Sequence, residues 1–393
     1  MRLVLVNRYF HPDLSPTGRL AAQLAFAAAA AGHEVSVFCS RQRYEDSRAV
    51  LPAEELAAGV RIRRVWSTRF GRGGLAGRAF DYLSFHVSVG LALLRDLQRG
   101  DTVVAMTDPP LLSVTVALAA LLRGARLVNW LQDVFPEAAV RSGFRLLAGP
   151  VGTACRVLRN WSLRGAVANV VLGTRMADVV QRAAPTAKVT VIPNWADGAE
   201  IRPQPPAAGD GFVVGYAGNL GRVHDVETFL DAAGRLAAQP GIRFRFTGGG
   251  HHFARVRDCG LANVTVQDYV PGEQLAASLA ACDVHLVSLR PEFEGLVVPS
   301  KFYSIAAAGR PMVFVGDPDG EIARMISTHR LGLTVAAGDG EELAAALRRL
   351  REEVQERRAM GARARQVFER EWDAPVALAR WRDLLLRISS DGR

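Results

Sequence analysis

Cysteine is scarce in this 393-residue chain. Cys39, Cys155, Cys259 and Cys282 are too scattered for a disulfide framework or a zinc-ligand cluster, which points to a reducing compartment. No low-complexity tract or short-period repeat occurs, and this argues against disordered and solenoid architectures. The longest apolar runs, near residues 83–94 and 111–122, are too short or too polar to span a bilayer. Met1-Arg2 leads straight into a short strand at 3–6 without the long apolar region of a signal peptide. The first strand is followed by a long loop with one glycine, Gly18, where a dinucleotide site needs three in a tight turn, so nicotinamide chemistry is not expected. No nucleic-acid reading module is recognisable either.

What is present is globular: 49% hydrophobic and 22% charged residues, in a length comfortable for two cores. The net charge of +9, carried mostly by arginine, calls for anionic partners such as diphosphates or an acidic bilayer. Arginines and aromatics interleave over 41–78, with Trp66, Phe70 and a glycine run at 71–74. Such a stretch is either a solvated face or a surface for anionic lipid, and the amphipathic segment 78–95 beside it favours lipid as much as solvent. Segment 141–164, with Phe144, Leu146, Trp161 and five arginines, lies on lipid or covers the core.

Strands and helices alternate throughout. A βαβ opening runs through a strand at 3–6, a helix at 20–31 and a strand at 34–39. Further strands are expected at 101–106, 126–131, 167–172 and 189–192, and a second series at 212–216, 243–247, 264–266, 283–289, 312–315 and 332–335. Single helices are expected over 341–357 and 363–387. The Pro, Ala and Gly tract at 203–211 reads as the linker.

The most informative stretch is 290–311: an apolar strand leads into a polar loop with Glu292, Glu294 and Gly295, then Pro299, Ser300 and Lys301 open a small-residue helix. A helix start over Ser300 and Lys301 would favour an anion, and nearby carboxylates suit sugar hydroxyls. An ordinary helix start with a solvated lysine is the plain alternative. Gly218, Asn219 and Arg222 form a second glycine turn after a strand, where bare backbone could approach phosphate, with His224 adding charge. Asp133 ends the strand at 126–131; it either serves a site at the sheet edge or caps the helix that follows.

These stretches resemble glycosyltransferase family 4, whose members have the two-domain GT-B fold. The loop at 290–311 is similar to the family's Glu, seven residues, Glu pattern: Glu292 and Gly295 match its start, while the second Glu, which grips the nucleotide ribose, is replaced by Ser300. Pro299-Ser300-Lys301 and Asp133-Val134-Phe135-Pro136-Glu137 resemble a bacterial branch that includes fucosaminyl transferases of O-antigen, colanic acid and exopolysaccharide assembly, and Pro193-Asn194-Trp195-Ala196-Asp197 resembles the family's Pro-Asn-x-x-Asp at the crossover.

The resemblance implies an α/β protein of two doubly wound, Rossmann-like domains facing across a cleft: an acceptor domain over 1–200, a nucleotide-sugar domain over 201–370, and a final helix over 371–393 returning to the first. It implies a retaining transfer that needs no bound metal or cofactor, from a nucleotide sugar expected to be UDP-linked to a lipid-diphosphate-linked acceptor, with no role for nucleic acid. Glu292 would hold donor sugar hydroxyls and Asp133 the acceptor hydroxyl. Arg222, Lys301 and backbone near Gly18 would meet the diphosphate, and Tyr269 would stack on the base. A cytoplasmic protein, peripheral to the inner face of the cell membrane, is expected. A nucleotide-sugar 2-epimerase of the same fold and a non-catalytic nucleotide-sugar sensor are the alternatives.

Overall fold

A parallel strand buried on both faces reads as a continuous apolar run, because crossover helices cover the sheet above and below. Leu3-Val4-Leu5-Val6 is such a run; Ala168-Asn169-Val170-Val171 is as fully buried, its one polar residue Asn169 donating to the Leu163 carbonyl at 2.9 Å. The computed structural model describes residues 1–13, 15–44, 46, 49–71, 74–205 and 211–390. Arg72 and Gly73 of the expected lipid-facing glycine run, and residues 206–210 of the expected linker, lie outside these. The described chain forms two compact units, residues 1–192 with 378–393, and residues 193–377. The turn at 193–197 therefore opens the second unit, and the chain rejoins the first at Leu378.

The first unit is built on β1 (Arg2–Val6), β2 (Glu34–Ser40), β3 (Glu54–Ala57), β4 (Val60–Val65), β5 (Thr102–Ala105), β6 (Arg126–Trp130), β7 (Ala168–Val171) and β8 (Val189–Val191). Their order is β3-β4-β2-β1-β5-β6-β7-β8, parallel except for β3. The helix Leu75–Asp96 presents Phe85, Val89 and Leu93, at helical spacing, to a core that includes Val4, Val6, Val103 and Leu112.

The hairpin β3–β4 was hidden by its arginines. Ala58 and Gly59 take positive φ angles of 46° and 80° in a two-residue turn, and Val60, Ile62 and Arg64 alternate inward. Arg64 belongs to neither a solvated nor a lipid-facing surface: its guanidinium is enclosed, paired with Glu55 at 2.7 Å and donating to the His11 carbonyl at 2.8 Å. Its neighbour Arg63 pairs with Asp96.

The second unit is a six-stranded parallel sheet of β9 (Phe212–Asn219), β10 (Ile242–Gly249), β11 (Val264–Gln267), β12 (Val284–Ser288), β13 (Met312–Gly316) and β14 (Gly332–Ala336), in the order β11-β10-β9-β12-β13-β14. The two long helices expected near its end are three, Gly340–Glu352, Val354–Glu371 and Ala374–Ser390. The last break has a clear cause. The Asp373 carboxylate accepts from the backbone N–H groups of Ala374 and Gly198, at 2.8 and 2.9 Å, starting a new helix.

Past Ala377, that last helix packs within the first unit. Trp381 is fully buried against Trp130 of β6, ring centroids 4.7 Å apart, and Arg126 donates to the Ile388 carbonyl. Trp381→Ala is expected to cost about 3–5 kcal/mol, as burying an indole and then emptying its place does in other cores. Guanidinium unfolding followed by near-UV circular dichroism would read this as an earlier transition.

Candidate functional site

In the second unit the carboxyl ends of β9 and β10 run on side by side into glycine turns, with Gly218 opposite Gly248 and Asn219 opposite Gly249. Gly218, Gly248 and Gly250 hold φ angles of 113°, 135° and 119°, which other residues rarely adopt. Space excludes side chains as well: a Cβ on Gly248 would lie 2.3 Å from the Gly218 carbonyl oxygen, and one on Gly250 would lie 2.1 Å from Asn219 Oδ1. The result is a shelf of bare backbone. Tyr269, 60% exposed, lies against it, since a Cβ on Gly249 would come 2.9 Å from the tyrosine ring.

Lys301 crosses this shelf. Its Cε lies 3.8 Å from where a Gly218 Cβ would be, and its Nζ sits 4.7 Å from the centroid of the Tyr216 ring. Nζ also stands 2.9 Å from His224 Nε2, while His224 Nδ1 is 2.6 Å from the Ser288 carbonyl oxygen. Among the described residues no carboxylate is within ion-pair distance of this ammonium. Burial accordingly pushes the Lys301 pKa down to about 7. The helix it opens, Lys301–Ala307, has seven residues and no side-chain cap from Ser300, so the helix end contributes little and the lysine itself is the anion-seeking group.

Other cations gather nearby. Burial, then His251, Arg290 and Arg222, hold His252 below its ordinary pKa, with Glu227 pulling the other way. Arg222 is exposed, and Ser300 is exposed beside Lys301. His224 does not add charge as expected: burial and the neighbouring Lys301 hold it neutral, well below the ordinary histidine range.

The carboxylates divide. Glu292, in the turn Pro291–Phe293, is half-buried and pairs with Arg290 at 2.5 Å. Glu294 turns away to cap the helix Glu321–His329, accepting from Glu321 N–H at 2.7 Å. Between them and Ser300, buried Gly295 bends the loop at φ 74°.

In the first unit Asp133 follows β6 and lines a small pocket shared with Thr107, Asn129, Phe135 and Arg159. Its Oδ1 is buried without a hydrogen-bond partner, and the helix after it, Glu137–Arg141, is preceded by Pro136 and takes no cap from Asp133. Burial raises the Asp133 pKa to about 6, partly offset by the Thr107 hydroxyl and reinforced by Asp108. Arg159 fixes the loop, donating to the Phe135 carbonyl at 3.0 Å and pairing with Glu137 at 2.5 Å.

Gly18, in the first turn of the helix Pro16–Ala30, is packed so closely that a Cβ would meet Ser15 Oγ at 2.5 Å and the Tyr9 carbonyl at 3.1 Å. Sequence inspection missed buried Arg8, held between the rings of Tyr9 and Tyr82 with Asp81 at 3.8 Å. Its signal was an arginine two residues after the first strand.

Sheet order and strand-end loops together match solved glycosyltransferase structures. Sucrose-phosphate synthase from Thermosynechococcus elongatus superposes over 100% of both chains with a TM-score of 0.79 at 16% identity. HepE of Anabaena, solved in complex with UDP, superposes over 98% of this chain and 100% of its own with a TM-score of 0.66 at 15% identity. The fold is that of the GT-B glycosyltransferases.

Residues 17–195 match the family model described as glycosyl transferase 4-like domain, and residues 211–353 the one described as glycosyl transferases group 1. The probable glycosyltransferase WbjE of Pseudomonas aeruginosa is 28% identical over 312 residues, covering 75% of this chain and 77% of its own. The putative colanic acid biosynthesis glycosyl transferase WcaI of Escherichia coli K12 is 24% identical over 355 residues, 84% of this chain and 86% of its own. The chain belongs to glycosyltransferase family 4.

Lys301→Met is expected to leave the fold at least as stable, because a half-buried cation without a carboxylate partner among the described residues is replaced by an apolar chain of similar length. The sign follows from the lowered pKa. Between about 7 and 10.5 the unfolded chain holds more protons at this lysine than the folded one, so its destabilising effect is full below about pH 7 and fades towards 10.5. Melting temperatures of both proteins from pH 6 to pH 10 would test this; a gain growing with pH would refute it.

Proposed function

We propose that this glycosyltransferase moves a sugar, with retention of anomeric configuration, from a UDP-linked donor to a hydroxyl of a lipid-diphosphate-linked glycan during bacterial polysaccharide assembly. The observation that carries the reading is the Lys301 ammonium, half-buried beside paired glycine turns, with no carboxylate among the described residues within ion-pair distance. A diphosphate supplies the missing charge, and its leaving-group charge is what such a cation stabilises. The UDP bound in HepE and the polysaccharide role in the name of WcaI agree with this choice of donor and pathway class.

In this reading Lys301 and Arg222 meet the diphosphate, and the bare turns at Gly218 and Asn219 let it approach. Tyr269 stacks on the base, Ser300 faces the ribose, and Glu292, steadied by Arg290, holds donor sugar hydroxyls. Glu294 and Gly295 shape the loop that carries them. Asp133 orients the acceptor hydroxyl and, ionised above about pH 6, accepts its proton. An aminosugar of the fucosamine type is the expected donor sugar, from the resemblance carried by Pro299-Ser300-Lys301.

Membrane placement of the acceptor fits the surface of the first unit. Residues 1–192 and 378–393 carry 28 Lys and Arg against 15 Asp and Glu, whereas residues 193–377 carry 20 against 24. Phe80, Leu83, Val87 and Leu91 form an exposed apolar stripe along the helix Leu75–Asp96. Leu118, Leu121 and Trp161 are exposed on the helices Leu112–Arg123 and Pro150–Gly165. No described helix is long and apolar enough to cross a membrane. An apolar stripe among arginines suits anionic headgroups with acyl chains beneath.

The deciding experiment incubates purified protein with a panel of nucleotide sugars, with and without a short lipid-diphosphate sugar acceptor, and follows products by mass spectrometry. Product only with acceptor is expected; donor conversion without acceptor would replace this reading with the epimerase. Asp133→Asn is expected to lower kcat by about 10²–10⁴-fold, the usual contribution of a general base, and to abolish the rise in rate near pH 6. Leu83→Glu with Val87→Glu is expected to reduce co-sedimentation with anionic vesicles while sparing turnover of a water-soluble acceptor. Equal sedimentation of the double variant would remove the membrane surface from the proposal.

A further inference from the structure

Lys301 has a long flexible stem, so something must hold its ammonium on the glycine shelf before any anion arrives. Hydrogen-bond chemistry identifies what does. The Ser288 carbonyl only accepts, so His224 Nδ1, 2.6 Å away, must carry a proton. A second proton on Nε2 would place two donors and two like charges face to face, 2.9 Å from Lys301 Nζ. His224 is therefore the neutral Nδ1-protonated tautomer, and its Nε2 accepts one N–H from Lys301.

The support behind His224 is itself fixed. Ser288 ends β12 and is fully buried, and its hydroxyl accepts from the Asp225 backbone N–H at 3.2 Å, tying down the residue next to His224. Asp225 in turn accepts from Thr228 N–H and hydroxyl, at 3.1 and 2.8 Å, at the start of the helix Glu227–Arg235. On the other side, Lys301 rests on the ring of Tyr216, whose hydroxyl is occupied with the Asn219 carbonyl at 2.9 Å and whose pKa burial raises well above its ordinary value. Among the described residues none within ion-pair distance offers Lys301 a negative charge. An ammonium has three N–H bonds, and His224 takes one.

We infer that His224 is a positioning residue, locked as its Nδ1-protonated tautomer by the Ser288 carbonyl, which holds Lys301 in place to receive the diphosphate of the donor. The inference rests on the donor reading above and adds to it the residue that fixes the cation. His224 touches neither donor nor acceptor; it acts through Lys301. A side chain that merely filled the core would influence stability alone.

The chain makes the test direct, because Lys188 and Lys301 are its only lysines. Protein labelled with ¹³C and ¹⁵N at lysine gives two side-chain signals, and Lys188→Arg assigns them. In the ligand-free protein, His224→Phe keeps a flat ring but removes the acceptor, and is expected to shift the Lys301 signal and lower its titration midpoint by about one pH unit. His224→Gln, whose amide both donates to Ser288 and accepts from Lys301, is expected to restore most of the wild-type midpoint. A Lys301 midpoint unchanged in His224→Phe, in protein still folded by circular dichroism, would overturn the inference.

Calorimetry with UDP and with uridine supplies the second arm. His224→Phe is expected to weaken UDP binding about tenfold, equivalent to about 1.4 kcal/mol, and to leave uridine binding unchanged. Equal weakening of both ligands would mark His224 as structural and defeat the inference. If wild-type protein bound no UDP while the lysine titration still responded to His224, the donor reading would fail and the His224–Lys301 pair would stand.

Discussion

A parallel strand cannot be followed directly by its neighbour; the chain must travel back along the sheet first, and in both units helices make most of these returns. All carboxyl ends of parallel strands therefore lie on one edge. Asp133 after β6, the glycine turns after β9 and β10, and the loop after β12 owe their positions to this rule before any specific contact is made. Chemistry assembled at such an edge draws on residues distant in sequence, which is why Ser288, His224 and Lys301 meet although 13 and 77 positions separate Lys301 from the other two.

Within that frame the second unit concentrates an electrostatic imbalance. The bare backbone of Gly218 and Gly248 brings no negative side chain, Glu292 is engaged with Arg290, and Glu294 is spent on a helix cap. Lys301 is left with a neutral imidazole and an aromatic ring as its neighbours. The arrangement disfavours the empty state of the cation and favours any anion that fits the shelf. In the first unit Asp133 shows the opposite sign of the same principle: a carboxyl withheld from water, with one oxygen unmatched.

Much of the architecture was legible because buried parallel strands have an unmistakable composition. The strands of the second unit were found nearly to the residue at their starts, while β9 and β10 continue to Asn219 and Gly249 because ladder pairing persists through glycines that break any apolar pattern. β4 was missed because its alternation is written in arginine, and Arg64 counts as an inward residue only once Glu55 and the His11 carbonyl are seen around it. The final helices looked continuous because Glu353 and Asp373 are ordinary in helices; only the contact of Asp373 with Gly198 shows the break. Lys301 and Asp133 were visible as residues, but the neutrality of His224 was not, since a histidine's charge is set by burial and by partners far away in sequence.

The return of the chain end to the first sheet has a consequence for synthesis on the ribosome. Trp130 waits for Trp381, and Arg126 for the Ile388 carbonyl, 262 positions later. A domain ordinarily folds once its own segment has emerged, but this one stays without the helix Ala374–Ser390 until the whole second unit has been made. The second unit, continuous from Pro193 to Ala377, has all its residues by then. The part of the enzyme made first is thus completed only after the part made second.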